Sequence, residues 1–216
     1  MITDVSPALL SYLRRKLIAW GKSNYSNFPW RTEQSQFHAL IAELMLQRTR
    51  AEQVVNTYLT FKKRFPDPAT LANSEISDIE NVIAPLGLLW RARYFSELGK
   101  KLCDLNGLIP IDNIELQKLP GVGPYSSAAY LSLHAKQRLP IVDSNIVRFY
   151  GRIFGFQTGP ETRRMKNMLL LADSVTPRRN FKEFNYSLID FTRMICKPKP
   201  DHSNCPLYRK CVSISR

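Results

Sequence analysis

Several residues are of types and in settings that could do chemistry. Glu43 lies inside the apolar run Leu40-Ile41-Ala42-Glu43-Leu44-Met45-Leu46. A carboxyl buried there without a partner is costly, and the same setting raises its pKa and favours a proton donor. The alternative is an edge residue bonded to a helix end or to an arginine. Asp143, in Val142-Asp143-Ser144-Asn145, has the residue type and place of an N-cap for a helix starting at Ser144. Leu119-Pro120-Gly121-Val122-Gly123-Pro124-Tyr125 reads as a short helix, a glycine turn and the start of a second helix. Such a start presents N–H groups to a phosphate oxygen, although the same residues also make a plain helix–helix turn. Of the four cysteines, Cys196, Cys205 and Cys211 fall within the last 21 residues, a grouping that favours ligand duty over disulfides in a chain without secretory features. Cys103 stands alone in an apolar-periodic segment and is expected in the core.

The elements that must position these residues are helical. Apolar spacings of three and four dominate. Leu40, Leu44, Ala51, Val54, Val55 and Tyr58 share one face of a helix over about 37–64, with room for a break, and Pro66-Asp67-Pro68 stops it. Further helices are expected at 8–23, 76–84, 91–105, 114–118, 125–134, 144–154, 161–174 and 181–195. No segment alternates like a strand, and the prolines of Ile109-Pro110-Ile111 and Leu139-Pro140-Ile141-Val142 argue against central strands. The expected fold class is all-α.

Charge narrows the partner. The 216 residues carry 31 Lys plus Arg against 18 Asp plus Glu, a formal net charge of +13. The basic residues recur along the chain rather than in one tail, which points to a folded basic surface and a polyanionic partner, most often nucleic acid. A solvated basic face with no partner is the alternative. At 44% hydrophobic residues the chain can build a core, so a disordered basic arm is excluded. No stretch approaches the roughly 18 apolar residues of a membrane helix. The first residues lack an apolar signal region, so a soluble, non-secreted protein is expected.

The motifs together resemble the helix-hairpin-helix, Gly/Pro-rich, Asp-containing DNA glycosylases, the endonuclease III-like superfamily. The match lies in Leu119–Gly123, Val142–Asn145, Phe28-Pro29-Trp30-Arg31, Glu43-Leu44-Met45-Leu46-Gln47-Arg48-Thr49, Gly87-Leu88-Leu89-Trp90-Arg91-Ala92-Arg93 and the C-terminal cysteines. Each is weak singly; their order and spacing over nearly the whole chain are specific. The resemblance implies two helical lobes with duplex DNA and a flipped base in the cleft between them. One lobe is a six-helix barrel over 28–134, with the hairpin at about 114–131. The other joins 1–27 to 135–216 and carries the Cys/His loop at 196–211. Monomer is the family default, and the implied location is cytoplasmic and nucleoid-associated, or nuclear.

For activity, the resemblance implies cleavage of an N-glycosidic bond. That reaction develops positive charge on the sugar and negative charge on the departing base, so it gains from a fixed carboxylate and an acid or hydrogen bond at the base. By family position Asp143 takes the first role and Glu43 the second. In bifunctional relatives the second residue after Gly-Val-Gly is a lysine that forms a Schiff base. Here it is Tyr125, a phenol neutral at pH 7 that cannot do so, which implies a monofunctional enzyme; a packing role for Tyr125 is the alternative. Gly121, Val122, Gly123, Gln47, Arg48, Leu88, Leu89 and Arg91 are the implied DNA contacts. Gln47, Leu88 and Leu89 stand where the family inserts wedges into the base stack, with core packing the alternative for the leucines.

Tyr125, the Val142–Arg148 pattern, Gly87-Leu88-Leu89 and Phe184–Phe191 lean toward thymine or uracil opposite guanine, whereas Gln47 looks like the adenine branch. Adenine opposite guanine or oxidised guanine is therefore the alternative substrate, and a non-catalytic helix-hairpin-helix DNA-binding protein the alternative class. The family's cluster motif is C-x6-C-x2-C-x5-C; this chain reads Cys196-x5-His202-x2-Cys205-x5-Cys211. A Cys3His [4Fe–4S] cluster, a structural zinc and no metal all remain open from the residues.

Overall fold

The computed structural model describes residues 5–214. Its elements are helical, with no strand among the described residues, and the chain divides into two compact units.

The unit of residues 27–135 opens with a 3₁₀ turn at Pro29–Thr32 and continues through α2 (Gln36–Met45), α3 (Ala51–Arg64), α4 (Pro68–Ala72), α5 (Ile76–Ile83), a 3₁₀ turn at Ala84–Leu86, α6 (Arg91–Asp104), α7 (Asn113–Leu116) and α8 (Pro124–Leu133). Every residue of α2 from Phe37 to Met45 is buried. A helix that is apolar nearly all round belongs in the centre of a core, and its two polar exceptions, His38 and Glu43, therefore need partners. His38 has them: one ring nitrogen lies 3.0 Å from Ser35 Oγ and the other 3.0 Å from the Phe65 carbonyl. Around α2 the core is aromatic, with Phe61 against Phe65 and Phe95 at centroid distances of 4.7 and 5.4 Å.

The helix expected over 37–64 is two helices. Between them Arg48 adopts φ of 57°, a left-handed conformation that breaks the helical ladder. Beyond α3, Pro66-Asp67-Pro68 both stops one helix and starts another, because Asp67 Oδ1 accepts from the Thr70 N–H at 2.7 Å and Pro68 supplies the preset φ of a first turn. Cys103, expected in the core, is exposed, since it lies on the solvent side of α6 while Leu98, Gly99 and Leu102 face inward. Gly99 allows α6 to approach α4 closely: a Cβ there would stand 2.8 Å from the Ala72 backbone nitrogen.

The other unit joins the N-terminal segment through Ser26 to the chain from Lys136 onward. It contains α1 (Pro7–Asn24), α9 (Ser144–Phe154), a 3₁₀ turn at Thr162–Arg164, α10 (Lys166–Val175), α11 (Phe181–Met194) and a 3₁₀ turn at Tyr208–Lys210. Ends of the chain far apart in sequence are closed by named contacts. Trp20 packs edge-on to Phe191 at 5.5 Å, and Arg14 Nε donates to the Val175 carbonyl at 2.9 Å. Asp190, fully buried, accepts from the Ser26 N–H at 3.2 Å and from Arg193. The helix expected over 161–174 starts only at Lys166, because Met165 is extended and the preceding residues close a 3₁₀ turn.

Two stability outcomes follow. Gly99→Ala should lower Tm despite alanine's advantage of about 1 kcal/mol in a helix interior, because the added methyl meets the α4 backbone; a melt showing an unchanged or raised Tm contradicts this. Glu33 lies beside the 3₁₀ turn and accepts from Tyr58 Oη at 2.7 Å, Lys62 Nζ at 2.5 Å and the Ser35 N–H at 2.9 Å. Burial alone would raise its pKa, but these donors and the lysine charge hold it down at about 2, below its ordinary 4.5. A depressed folded value means stability that is full above pH 4.5 and lost as pH falls toward 2. Glu33→Gln should flatten that part of the Tm–pH curve and lower Tm at neutral pH.

Candidate functional site

The glycine turn is the junction of α7 and α8. Asp112 caps α7 by accepting from the Ile114 and Glu115 N–H groups at 2.9 and 3.0 Å. Gly121 has φ of 78°, the left-handed region in which glycine is unstrained, and the side chain of Tyr94 lies 3.4 Å from where its Cβ would stand. Ser127 Oγ donates to Asn113 Oδ1 at 2.6 Å, tying the two helices together. Ser126 Oγ accepts from the Gly123 N–H at 3.0 Å and from Gln47 Nε2 at 3.3 Å. Within the motif, then, the Gly123 amide is bonded to Ser126, and the Val122 amide donates to the Leu119 carbonyl at 3.1 Å. These two expected phosphate donors serve the turn itself. The donors that helix geometry leaves for an anion are those of the first turn of α8, where Tyr125 stands, half-buried.

The loop after α2 is bound to this hairpin. Gln47 Nε2 donates to the Gly121 carbonyl at 3.0 Å, so the expected wedge lies against the turn, while Arg48 beside it is exposed. Arg91 differs from the expected DNA contact. It is 4% exposed, and its guanidinium donates to the carbonyls of Leu44 at 3.5 Å, Met45 at 3.2 Å and Gln47. Leu44 and Met45 are the last two residues of α2, where a helix runs out of intrahelical donors, and Gln47 lies in the loop just beyond it. Burial first, and then the Arg48 charge, pull the Arg91 pKa below its ordinary value. Arg91 thereby joins the 44–48 loop to the start of α6, where Leu88 is half-buried and Leu89 and Trp90 are exposed.

Glu43, 3% exposed, is not alone among apolar side chains: its Oε1 lies 3.0 Å from Nε2 of His134, the residue that ends α8. Sequence reasoning missed His134. A lone histidine at a helix end carries no local signal of a partner 91 residues away.

In the other unit, Asp143 caps α9 and keeps a fixed carboxylate. Oδ1 accepts from the Ile146 N–H at 2.7 Å and Oδ2 from the Asn145 side-chain amide at 2.9 Å. Asn145 Oδ1 in turn accepts from Arg148 Nη1 at 2.8 Å. The carboxylate is thus held by a backbone donor and by a side chain that is itself oriented, and it remains half-exposed.

The C-terminal loop brings Cys196, His202, Cys205 and Cys211 to the wall of one cavity of about 180 Å³. Burial, with added contributions from neighbouring thiols, raises the Cys205 and Cys211 thiols above their ordinary range. The donors are of the soft type that iron–sulfur clusters and zinc accept. Yet among the described residues no three His, Cys, Asp or Glu side chains are grouped closely enough to hold a metal ion, so the four as arranged do not form a ligand set. Arg152 holds the loop instead, donating to the carbonyls of Lys197 and Pro198 at 2.7 and 2.8 Å. A larger open cleft of about 790 Å³, lined by Tyr12, Lys16, His202, Cys205, Tyr208 and Arg209, contains neither Asp143 nor Glu43.

An all-helical chain with a helix-hairpin-helix turn and a helix-capping aspartate after it defines a class, and comparison with known proteins places the chain within it. Residues 41–172 match the family model of the HhH-GPD superfamily base excision DNA repair protein, and the chain belongs to that family. A thymine/uracil-DNA glycosylase of Pyrobaculum aerophilum is 35% identical over 96% of this chain and 94% of its own length. An adenine DNA glycosylase of Buchnera aphidicola is 34% identical over 86% of this chain but only 53% of its own length. Among solved structures, a thermostable thymine-DNA glycosylase superposes with a TM-score of 0.90 at 28% identity, covering 98% of this chain and 99% of that one.

If Arg91 acts by holding helix-end carbonyls, Arg91→Ala should destabilise the protein by about 2–4 kcal/mol through lost charge-assisted hydrogen bonds. Lysine should not rescue it, because a single ammonium cannot span the same carbonyls. The slope of log Kd for DNA against log salt should be unchanged; a decrease of about one would mark a phosphate contact instead.

Proposed function

We propose that this protein is a monofunctional DNA glycosylase that removes thymine or uracil opposite guanine, acting as a monomer on duplex DNA. The observation that carries the assignment is a carboxylate fixed by two donors at Asp143 in a chain whose residue 125 is tyrosine. A fixed carboxylate stabilises positive charge at the sugar. A phenol in place of an amine leaves water as the nucleophile.

In this scheme the target nucleotide leaves the base stack. The bond between C1′ and the base nitrogen breaks and its electron pair departs with the base. Glu43 faces the base and supplies a hydrogen bond or proton to that leaving group. Asp143 stabilises the sugar cation and orients the water whose oxygen adds to C1′, the water's proton passing to the carboxylate or to solvent. Tyr125 shapes the pocket. The first turn of α8 grips a phosphate, Arg48 contacts the DNA, and Gln47, Leu88 and Leu89 occupy the space that the flipped nucleotide leaves. The surplus of 13 positive charges supplies affinity without base choice.

The chain's match to the thymine/uracil enzyme over nearly all of both lengths favours that substrate. The adenine relative is about twice as long as the part that matches. No step depends on a metal. A cluster or zinc, if this protein carries one, would require the Cys196, His202, Cys205 and Cys211 loop to rearrange, and its part would be structural. Among the described residues no helix is long and apolar enough to cross a membrane.

The test is a panel of T·G, U·G, A·G and A·oxidised-G duplexes, each followed by alkali. Strand breaks should appear at T·G and U·G only after alkali, and borohydride should trap no covalent complex. Cleavage of the adenine substrates alone would transfer the protein to the adenine branch, and efficient trapping would make it a lyase. Asp143→Asn should lower the single-turnover rate about 10²–10³-fold while DNA binding persists. Unchanged activity would remove Asp143 from the chemistry, and binding without excision on every duplex would leave a DNA-binding module.

A further inference from the structure

Glu43 is the acid that the proposed reaction places at the base, and the structure shows what holds it. Its carboxylate and the His134 imidazole are each almost completely buried, with side-chain exposures of 4% and 3%. Their atoms Oε1 and Nε2 are 3.0 Å apart, within hydrogen-bonding range. They come from different helices: Glu43 from the central α2, His134 from the end of α8, whose first turn carries Tyr125.

The imidazole is itself fixed. The backbone N–H of His134 donates to the Tyr130 carbonyl at 2.9 Å, closing the last turn of α8. The Tyr130 ring lies nearly parallel to the imidazole, with centroids 6.1 Å apart and planes 30° from each other. Tyr130 is in turn anchored on α2, its hydroxyl donating to Gln36 Oε1. Burial raises the Tyr130 pKa to about 12, so this neighbour is uncharged at neutral pH. The other ionisable group on α2, His38, is engaged with Ser35 and Phe65. On the far side, Arg91 is bonded to the carbonyls at the C-terminal end of α2.

A glutamate has three side-chain torsions and, left alone, would sample several rotamers or retreat from an apolar site. The imidazole takes one oxygen, Oε1, and leaves Oε2 as the atom that can meet a base or a water. We propose that His134 is a positioning residue for Glu43, holding the carboxyl in one rotamer through Oε1 so that Oε2 is presented to the leaving base. His134 touches no substrate in this account. It rests on the assignment of Glu43 in the proposed function.

The experiment measures single-turnover excision from a U·G duplex with enzyme in excess, alongside Kd for the same duplex, in Glu43→Gln, His134→Ala, His134→Gln and the double variant Glu43→Gln/His134→Ala. His134→Ala should slow excision about 10–10²-fold, the scale on which a misplaced reacting group costs rate, with Kd changed less than about twofold. His134→Gln, which offers an amide N–H to Oε1, should recover most of the rate. In the Glu43→Gln background, removing the imidazole should add little further loss, since residues that act as a unit are not additive. Should His134→Ala fail to fold, His134→Asn, too short to reach Oε1, takes its place. A wild-type rate in His134→Ala, additive losses in the double variant, or failure of His134→Gln to rescue would each overturn the inference while Glu43→Gln remained slowed but measurable. A wild-type rate in Glu43→Gln would instead overturn the assignment of Glu43, and the inference with it.

Discussion

An α-helix leaves its first N–H groups and its last C=O groups without partners inside itself, and a protein built only of helices has to satisfy that demand many times over. Here one residue of the proposed chemistry, and several that hold the elements around it, satisfy that demand. Asp143, the carboxylate of the proposed reaction, is the cap of α9. Arg91 closes the end of α2, bonded to the Leu44 and Met45 carbonyls and to that of Gln47 just beyond. Ser126 reaches back to the Gly123 amide at the start of α8. Because a capping bond restrains both the side chain and the backbone that it meets, a catalytic group in such a position is already oriented when substrate arrives.

The same demand explains how a strongly basic chain uses its acids. Glu33 accepts from four groups, two just before α2 and two on the C-terminal half of α3. Asp190 closes the N-terminal segment onto α11, and Asp67 and Asp112 start helices. These carboxylates are engaged with nearby donors, while many Lys and Arg remain at the surface. The net charge of +13 therefore describes a surface that attracts a polyanion, and the acids set geometry at places where attraction alone would not discriminate.

Central placement of α2 has a cost that the site turns to use. A helix buried all round can hold a carboxyl only if another element brings a partner, and α8 brings His134 to Glu43. The helix whose first turn forms the hairpin with Gly121 and Gly123 thus also anchors the buried acid at its other end. Gln47, bonded to the Gly121 carbonyl and to Ser126, ties the loop after α2 to the same turn. Hairpin, loop and acid are one bonded assembly within a single unit.

Most of the helices were legible in the sequence, as were the glycine turn and the Asp143 cap, because each depends on residues within about four positions: apolar periodicity, a glycine where φ is positive, an oxygen-bearing side chain before the first turn. The motifs also carried the family. What the sequence left open was decided over longer distances. Nothing local distinguishes an arginine that meets phosphate from one that turns inward, yet Arg91 is buried on carbonyls 44–47 residues away. Cys103 has the spacing of a core residue and faces solvent, because α6 presents its other side to α4. The break at Arg48 and the helix begun at Pro68 depend on backbone turns whose signals compete with strong helix periodicity. By itself, then, the sequence determined the helical class, the hairpin and the Asp143 cap, since these follow from bonds within a turn or two of chain. Only the tertiary structure decided which buried groups pair, because a side chain's partner is chosen by packing between elements, and packing brought His134 to Glu43 and Arg91 to the end of α2.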